Sequence, residues 1–223
     1  MTQTFSILPL CQINQEWYVL LGKNVSIQNN IEKATWSDFS TTASDIDTIA
    51  KTFWQKTCCV ASWGDSEQDD FSPISAVYNS SEHLIRFYHS YSSLVDLIED
   101  NNYFAKIDMD GSITYILVIP YQKYISKDFD IIRQEIHMQV YHLNHENSFT
   151  QGPLELLNHP CHEYTNEQLM PFLSCCNIKW FSLSQLLIGT RHGNILKINQ
   201  QTIDVLNNDF ANKLSLISGE LFN

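Results

Sequence analysis

The stretch "IAKTFWQKTCCV", residues 49–60, decides how the centre of the chain folds. Counted from residue 46, apolar side chains recur at i, i+3, i+4, i+7 and i+8: Ile46, Ile49, Ala50, Phe53 and Trp54. This spacing predicts an amphipathic helix with one buried stripe. Asp45, directly before the stripe, is a suitable N-cap because its carboxylate can accept a hydrogen bond from the first turn. The run "CCVASW" that follows predicts a strand.

Two hairpins are predicted, one on each side of this helix. The β-rich runs 4–13 and 16–23 flank a short polar turn, and Asp-Gly at 110–111 joins two β-rich runs within 102–121. The polar stretch 24–42 predicts a loop. Pro120 is expected to end the second strand of the later hairpin.

Helices and short strands are predicted for the rest of the chain. Residues 80–100 are mostly helical in pattern, and 126–143 carry helical spacing with Ser126 or Asp128 as a cap. Residues 177–183 predict a strand. Ser182 and Gln185, at the spacing of a capping box, predict a short helix that ends at Gly189. The run 193–198 predicts a strand, and the Leu-rich end of the chain predicts a helix.

Composition bounds the class of protein. The 223 residues are 43% hydrophobic and 17% charged, which suits one globular domain over residues 1–223. The formal charge of −12 argues against broad binding to a nucleic-acid backbone or an anionic membrane. We expect no export signal and no membrane span. Six cysteines are too few for a disulfide scaffold, so the expected compartment is cytoplasmic, in the producing cell or a host.

Cysteine and histidine suggest a zinc site only weakly. The residues available are His159, Cys161, His162, Cys175 and Cys176. Zinc motifs normally place paired ligands two to four residues apart and add a regular second pair, which these residues do not. A cysteine nucleophile paired with histidine has no supporting motif. Packed thiols and loop histidines are the simpler interpretation, and we expect no metal and no cofactor.

The order of the motifs resembles the Nudix hydrolase superfamily, in particular its larger decapping-type proteins of big DNA viruses and some bacteria. The motifs are a hairpin ending in "LLGKN", a "WSDF" loop, the amphipathic helix, an Asp-Gly hairpin and a late "IKWFSLSQLL". The resemblance covers about residues 5–190. It implies an α+β fold, a mixed sheet flanked by helices, with a helical insertion between 78 and 100 and a C-terminal extension over about 190–223.

The diagnostic box of that family is degenerate in this chain. In the family, a loop glutamate and closely spaced helix glutamates hold divalent cations that activate water. The loop glutamate corresponds to Ala43, the arginine to Lys51, and the helix glutamates to Thr52, Gln55 and Lys56. The acidic run that such proteins carry before the late tryptophan is replaced by residues 174–177, "SCCN". The resemblance therefore implies a scaffold without its metal site.

Three functions remain open. The leading one is a catalytically inactive Nudix-like domain that binds a protein partner, a nucleotide or a capped RNA end. The second is an active phosphoanhydride hydrolase that uses relocated carboxylates, such as Asp45, Asp47 or the acidic loop 65–70. The third is an unrelated acidic adaptor. Metal binding with turnover would favour the second, and a fold without the Nudix sheet and helix would favour the third.

Ligand contacts are also predicted for the binding hypothesis. Trp36, Phe39 and Trp63 could stack on a base, and Lys51 and Lys56 could contact phosphates. The simpler interpretation is that Trp36 and Phe39 fasten their segment to the core and that both lysines are solvated. The acidic loop 65–70 does not have the glycine and closing glutamate of a calcium loop, so it is expected to be solvated.

Overall fold

The computed structural model describes residues 3–28, 31–43, 45–58, 60–61, 95–101, 103–109, 111–144, 167, 170–191, 193–194 and 196–207. The strands are β1 (Gln3–Ile13), β2 (Glu16–Gln28), β3 (Ile31–Ser37), β4 (Phe39–Ala43), β5 (Ala105–Met109), β6 (Ser112–Val118) and β7 (Cys175–Ser182). The helices are α1 (Ile46–Lys56), α2 (Ile125–Asn144), α3 (Leu183–Arg191) and α4 (Gln200–Asn207). A 3₁₀ turn spans Met170–Leu173, and residues 95–99 are also helical.

The strands form one mixed sheet of seven strands among the described residues. Its main path is β3-β2-β1-β6-β5, with β4 paired to β1 and β7 paired to β2. The pair β1 and β6 is parallel, and the other pairs are antiparallel. The predicted α+β class is thus present, as a mixed sheet combined with helices.

Two hydrophobic cores lie against the sheet. One joins Ile7 and Leu20 of the sheet with side chains of α1 and α2, and the other joins Leu8 and Leu21 with side chains of α3 and α4. Neighbouring residues on a strand point to opposite faces, so these two cores cover opposite faces of the sheet. Strands buried on both faces explain the continuous apolar runs in β1 and β2.

Several predicted elements are confirmed. Asp45 accepts a hydrogen bond from the Thr48 N–H at 2.7 Å and caps α1, which spans Ile46–Lys56. The first hairpin turns at Asn14 and Gln15, both with positive φ, as a tight two-residue hairpin loop often requires. The hairpin of β5 and β6, the strand β7 and the helix over 126–143 are also present.

The predicted loop over 24–42 was wrong. Residues of β2 up to Gln28 pair with β3, and β4 then pairs with β1. The prediction failed because the segment is polar, whereas the pairing is made by the backbone. The polar side chains also take part, since Asn24 donates a hydrogen bond to the Ser37 hydroxyl at 2.7 Å.

Other boundaries also differ from prediction. In "CCVASW", Cys58 lies in a turn with φ 49, and the other two described residues, Val60 and Ala61, belong to no strand. Helix α2 begins at Ile125, so Ser126 lies inside it and donates to the Ile178 carbonyl instead of capping. Helix α3 continues past Gly189. Residues 193–198 contribute one isolated bridge, from Ile198 to β3, rather than a strand.

Some predictions lie outside the described residues. They concern most of the helical insertion up to residue 94, the acidic loop 65–70, Trp63, the residues His159, Cys161 and His162, and the Leu-rich end of the chain.

Candidate functional site

The face of α1 that was predicted to correspond to a metal site carries no carboxylate. Lys51 is exposed. The Thr52 hydroxyl donates a hydrogen bond to the Thr48 carbonyl at 2.8 Å and lies 3.4 Å from the Thr41 hydroxyl. The Thr52 hydroxyl is therefore engaged in hydrogen bonds within α1 and to the neighbouring strand β4.

Lys56, at the end of α1, turns inward. Its ammonium donates a hydrogen bond to the Ser40 carbonyl oxygen of β4. Burial lowers the pKa of Lys56, while the nearby Cys175 and Asp38 raise it. Lys56 thus does not share the exposed position of Lys51, although both lysines were expected to be solvated in the simpler interpretation.

Asp38 marks the point where the chain changes partner strands. Ser37 at the end of β3 pairs with Gly22 of β2, whereas Phe39 at the start of β4 pairs with Ile7 of β1. Asp38 lies between these two pairings, and its N–H donates to the Thr202 hydroxyl of α4 at 3.2 Å. This bond fastens α4 to the sheet at the point where the chain passes from β3 to β4.

The Asp38 side chain is buried and incompletely satisfied. Burial raises its pKa to about 6, against the opposing effects of a hydrogen bond to Ser6, the charge of Lys56 and Thr202. Its Oδ2 has no hydrogen-bond partner. The Ser6 hydroxyl also lies 2.7 Å from the Thr114 hydroxyl, so the two central strands supply a polar pair inside the core. Buried, partly satisfied polar groups of this kind are costly, and they mark positions worth testing.

Ser6, Asp38, Lys56, Thr114 and Thr202 form a buried polar cluster, and Cys175 lies near its Lys56. Cys175 of β7 contacts the Asn24 amide oxygen at 3.3 Å and packs over Gly22. Burial raises the pKa of the Cys175 thiol to about 11 and that of Cys11 to about 12. Burial also raises the pKa of Cys58. These three thiols stay protonated at neutral pH, which makes them poor nucleophiles.

Two of the three predicted ligand-stacking residues, Phe39 and Trp36, pack against the protein. Phe39 is 1% exposed and meets the Phe53 ring edge-on at 4.9 Å. Trp36 is half-buried and packs edge-on against Phe181 at 4.9 Å. Ala43, at the predicted loop-glutamate position, is buried in the core. Stacking a base on Phe39 would require that core to open.

The described residues contain neither a cluster of metal ligands nor a membrane-spanning helix. No group of three or more His, Cys, Asp or Glu side chains that could hold a metal ion occurs among the described residues. In the same part of the chain, no helix is both long enough and apolar enough to cross a membrane.

The sequence did not single out the central residues of this cluster. Ser6, Asp38, Thr114 and Thr202 are each 4% exposed or less. The available signal was a polar residue inside an apolar strand, as in "FSILPL" and "SITYIL".

Comparison of the chain with models of protein families, with curated proteins and with solved structures gives no match.

Proposed function

We propose that the chain is a catalytically inactive, Nudix-like binding domain that takes a protein partner or a nucleotide. One observation supports the proposal: the Lys56 ammonium is bonded to the Ser40 carbonyl. Lys56 is the residue that the resemblance matches to a metal-binding glutamate of that family. A divalent cation requires anionic oxygen ligands and is repelled by a nearby ammonium.

The surroundings support the same proposal. The carboxylate whose charge reaches Lys56 belongs to Asp38, which is fully buried. A buried carboxylate with a raised pKa is a poor ligand for a hydrated cation. The buried free thiols of Cys11, Cys58 and Cys175 fit the reducing cytoplasm that we propose as its compartment.

A phosphate-release assay tests the proposal. The purified chain is incubated with Mg²⁺ or Mn²⁺ and with capped RNA, dinucleotides or nucleotide sugars, and we expect no turnover. The double variant Thr52→Glu/Gln55→Glu adds two carboxylates to one face of α1 and should gain Mn²⁺ affinity. Thr52→Gln, with Gln55 kept, places neutral amides of the same shape at these two positions of α1 and is the matched control, which should not gain Mn²⁺ affinity. Turnover by the unmodified chain would overturn the proposal.

A further inference from the structure

The strand β5 lies at one edge of the sheet. The main path of the sheet runs β3-β2-β1-β6-β5, and no other described strand pairs with β5 on the side away from β6. An edge strand presents a row of backbone N–H and C=O groups that can pair with another chain. The residues of β5 that offer these groups, and the side chains beside them, therefore decide which partner the edge can take.

Two observations show which pairs of β5 and β6 are joined by backbone hydrogen bonds. Met109 pairs with Ser112 across only two residues, and the pair that closes such a short hairpin turn is a hydrogen-bonded one. At the other end of β5, the Phe104 N–H donates to the Ile116 carbonyl at 2.9 Å, so this carbonyl faces β5. Ile116 is paired with Ala105. The pairs at both ends of β5 are thus of the hydrogen-bonded kind.

Lys106 and Asp108 offer their backbone groups to the outer edge. Hydrogen-bonded pairs alternate along an antiparallel ladder, so these two residues direct their N–H and C=O groups away from β6. Both side chains are exposed, and the Lys106 ammonium lies 5.9 Å from the centre of the Tyr115 ring. Ile107 between them is 5% exposed and belongs to the core of α3 and α4. One cation and one anion therefore lie two residues apart on the opposite face of β5.

These two charges select one register for a second copy of β5. In a symmetric antiparallel pair, the residues with outward backbone groups must lie opposite each other. A register centred on Lys106 would place that lysine opposite its own copy, and one centred on Asp108 would place two carboxylates opposite each other. Like charges directly opposite are destabilising. A register centred on Ile107 instead places each lysine opposite the aspartate of the other copy, and does so twice.

We propose that a second copy of the chain adds to this edge, with its β5 antiparallel to the first about a two-fold axis at Ile107. Lys106 of each copy lies opposite Asp108 of the other, and the two residues exchange backbone hydrogen bonds. An interface built on one short strand is small, so we expect a weak dimer in exchange with the monomer. This dimer needs neither a bound ligand nor an inactive site, so it is independent of the proposed function.

The charge pattern of the edge favours a second copy over protection from one. Edge strands are commonly protected by charged side chains, lysine above all. A row of like charges would repel every copy, whereas Lys106 and Asp108 are complementary in the register centred on Ile107. The formal charge of −12 on each chain opposes approach at long range. At about 0.15 M salt, exposed charges more than about 8 Å apart are largely screened, so the charges directly opposite each other determine the register.

Sedimentation velocity over a concentration series tests the proposal. At about 0.15 M salt, the unmodified chain should pass from monomer to dimer between roughly 10 µM and roughly 1 mM, as a small interface would. Lys106→Asp and Asp108→Lys should each weaken self-association about tenfold, because each places like charges opposite each other at two positions. Lys179→Asp makes the same change of charge at an exposed position of β7, away from this edge, and should leave self-association unchanged.

Two combinations of these variants restore complementary charges. An equimolar mixture of Lys106→Asp and Asp108→Lys chains should form a mixed dimer, because two carboxylates of one chain then lie opposite two ammonium groups of the other. The double variant Lys106→Asp/Asp108→Lys exchanges the two charges within each chain and should self-associate as the unmodified chain does. Loss of folding in a single variant would not be repaired by mixing, so recovery in the mixture reports on the interface.

Three results would overturn the proposal. A chain that stays monomeric up to about 1 mM would leave the edge of β5 to a strand of a different protein. A dimer that persists unchanged in both single variants would be formed by another surface. Self-association that is lost in the single variants and recovered neither in the mixture nor in the double variant would exclude the register centred on Ile107.

Discussion

The charges of Lys56 and Asp38 stabilise each other inside the protein, although the two residues lie on different elements. Lys56 ends α1, Asp38 separates β3 from β4, and each shifts the pKa of the other towards the charged form. The pair is coupled to three further elements through Ser40, Ser6 and Thr202. Each buried charge is therefore expected to cost less stability while the other is present.

A double-mutant cycle tests that coupling. At pH 7.5, Lys56→Met should destabilise the protein, because it leaves the buried Asp38 carboxylate without a neighbouring cation, and this loss should be smaller when Asp38→Asn is also present. We expect an interaction energy of about 1 kcal/mol from urea unfolding. The same cycle at pH 4.5 should show little interaction, because Asp38 is then protonated. Additive losses at both pH values would show that the two charges do not interact.

The stability of the protein should depend on pH through Asp38. Its pKa in the folded protein is about 6, raised by burial from the ordinary value of 3.8. Between these values the folded state binds more protons at this carboxyl than the unfolded state, so its contribution to stability falls as pH rises from about 4 to about 6. Above that range the contribution levels off.

The Asp38→Asn variant isolates this contribution. The free energy of unfolding of the unmodified chain, taken relative to that of Asp38→Asn, should decrease by up to about 3 kcal/mol across the window. Lys56→Met removes the neighbouring cation and should extend the window to higher pH. A difference that does not change between pH 4 and pH 7 would rule out a raised pKa at this position.

Gly22 is expected to accept no side chain. A Cβ there would lie 2.9 Å from the Cys175 sulfur and 3.0 Å from Phe39 Cε1. Gly22→Ala should cost about 1–3 kcal/mol by overpacking. Gly189→Ala is the matched control, since its Cβ would meet Leu196 at 3.4 Å inside α3. That substitution should be neutral or slightly stabilising because alanine favours helix. Equal effects in thermal melts would contradict the packing at β7.

The N-cap of α1 gives a smaller and more local effect. Asp45→Ala removes the acceptor of the 2.7 Å bond from Thr48 and should cost about 1 kcal/mol. Asp45→Asn keeps an oxygen in the same place and should retain most of the stability. If both variants lost the same amount in urea unfolding, charge rather than capping would be responsible.

Local patterns predicted the elements whose apolar spacing is regular. The stripe Ile46, Ile49 and Phe53 predicted α1, and the helical spacing over 126–143 predicted α2, whose Phe129 and Ile136 lie in the core. The hairpin of β2 and β3 was missed because its residues are polar and its order comes from cross-strand backbone pairing. Residues with mixed character on a half-exposed strand give no period to detect.

The buried cluster was out of reach of local patterns for a different reason. Lys56 bonds to a residue 16 positions earlier, and Asp38 bonds to Thr202, which is 164 positions away. A lysine on a predicted helix is ordinarily solvated, and only the tertiary structure shows that this one turns inward. That Thr52, Gln55 and Lys56 carry no carboxylate was visible in the sequence, whereas the position of the Lys56 side chain was not.

Calorimetric titration of Mn²⁺ into the unmodified chain measures whether the protein binds a divalent cation. We expect only the heat of dilution, because Thr52 and Gln55 of α1 carry no carboxylate and Lys56 adds a positive charge nearby. Stoichiometric binding of Mn²⁺, accompanied by phosphate release from a capped RNA or nucleotide substrate, would show instead that the chain is an active metal-dependent hydrolase.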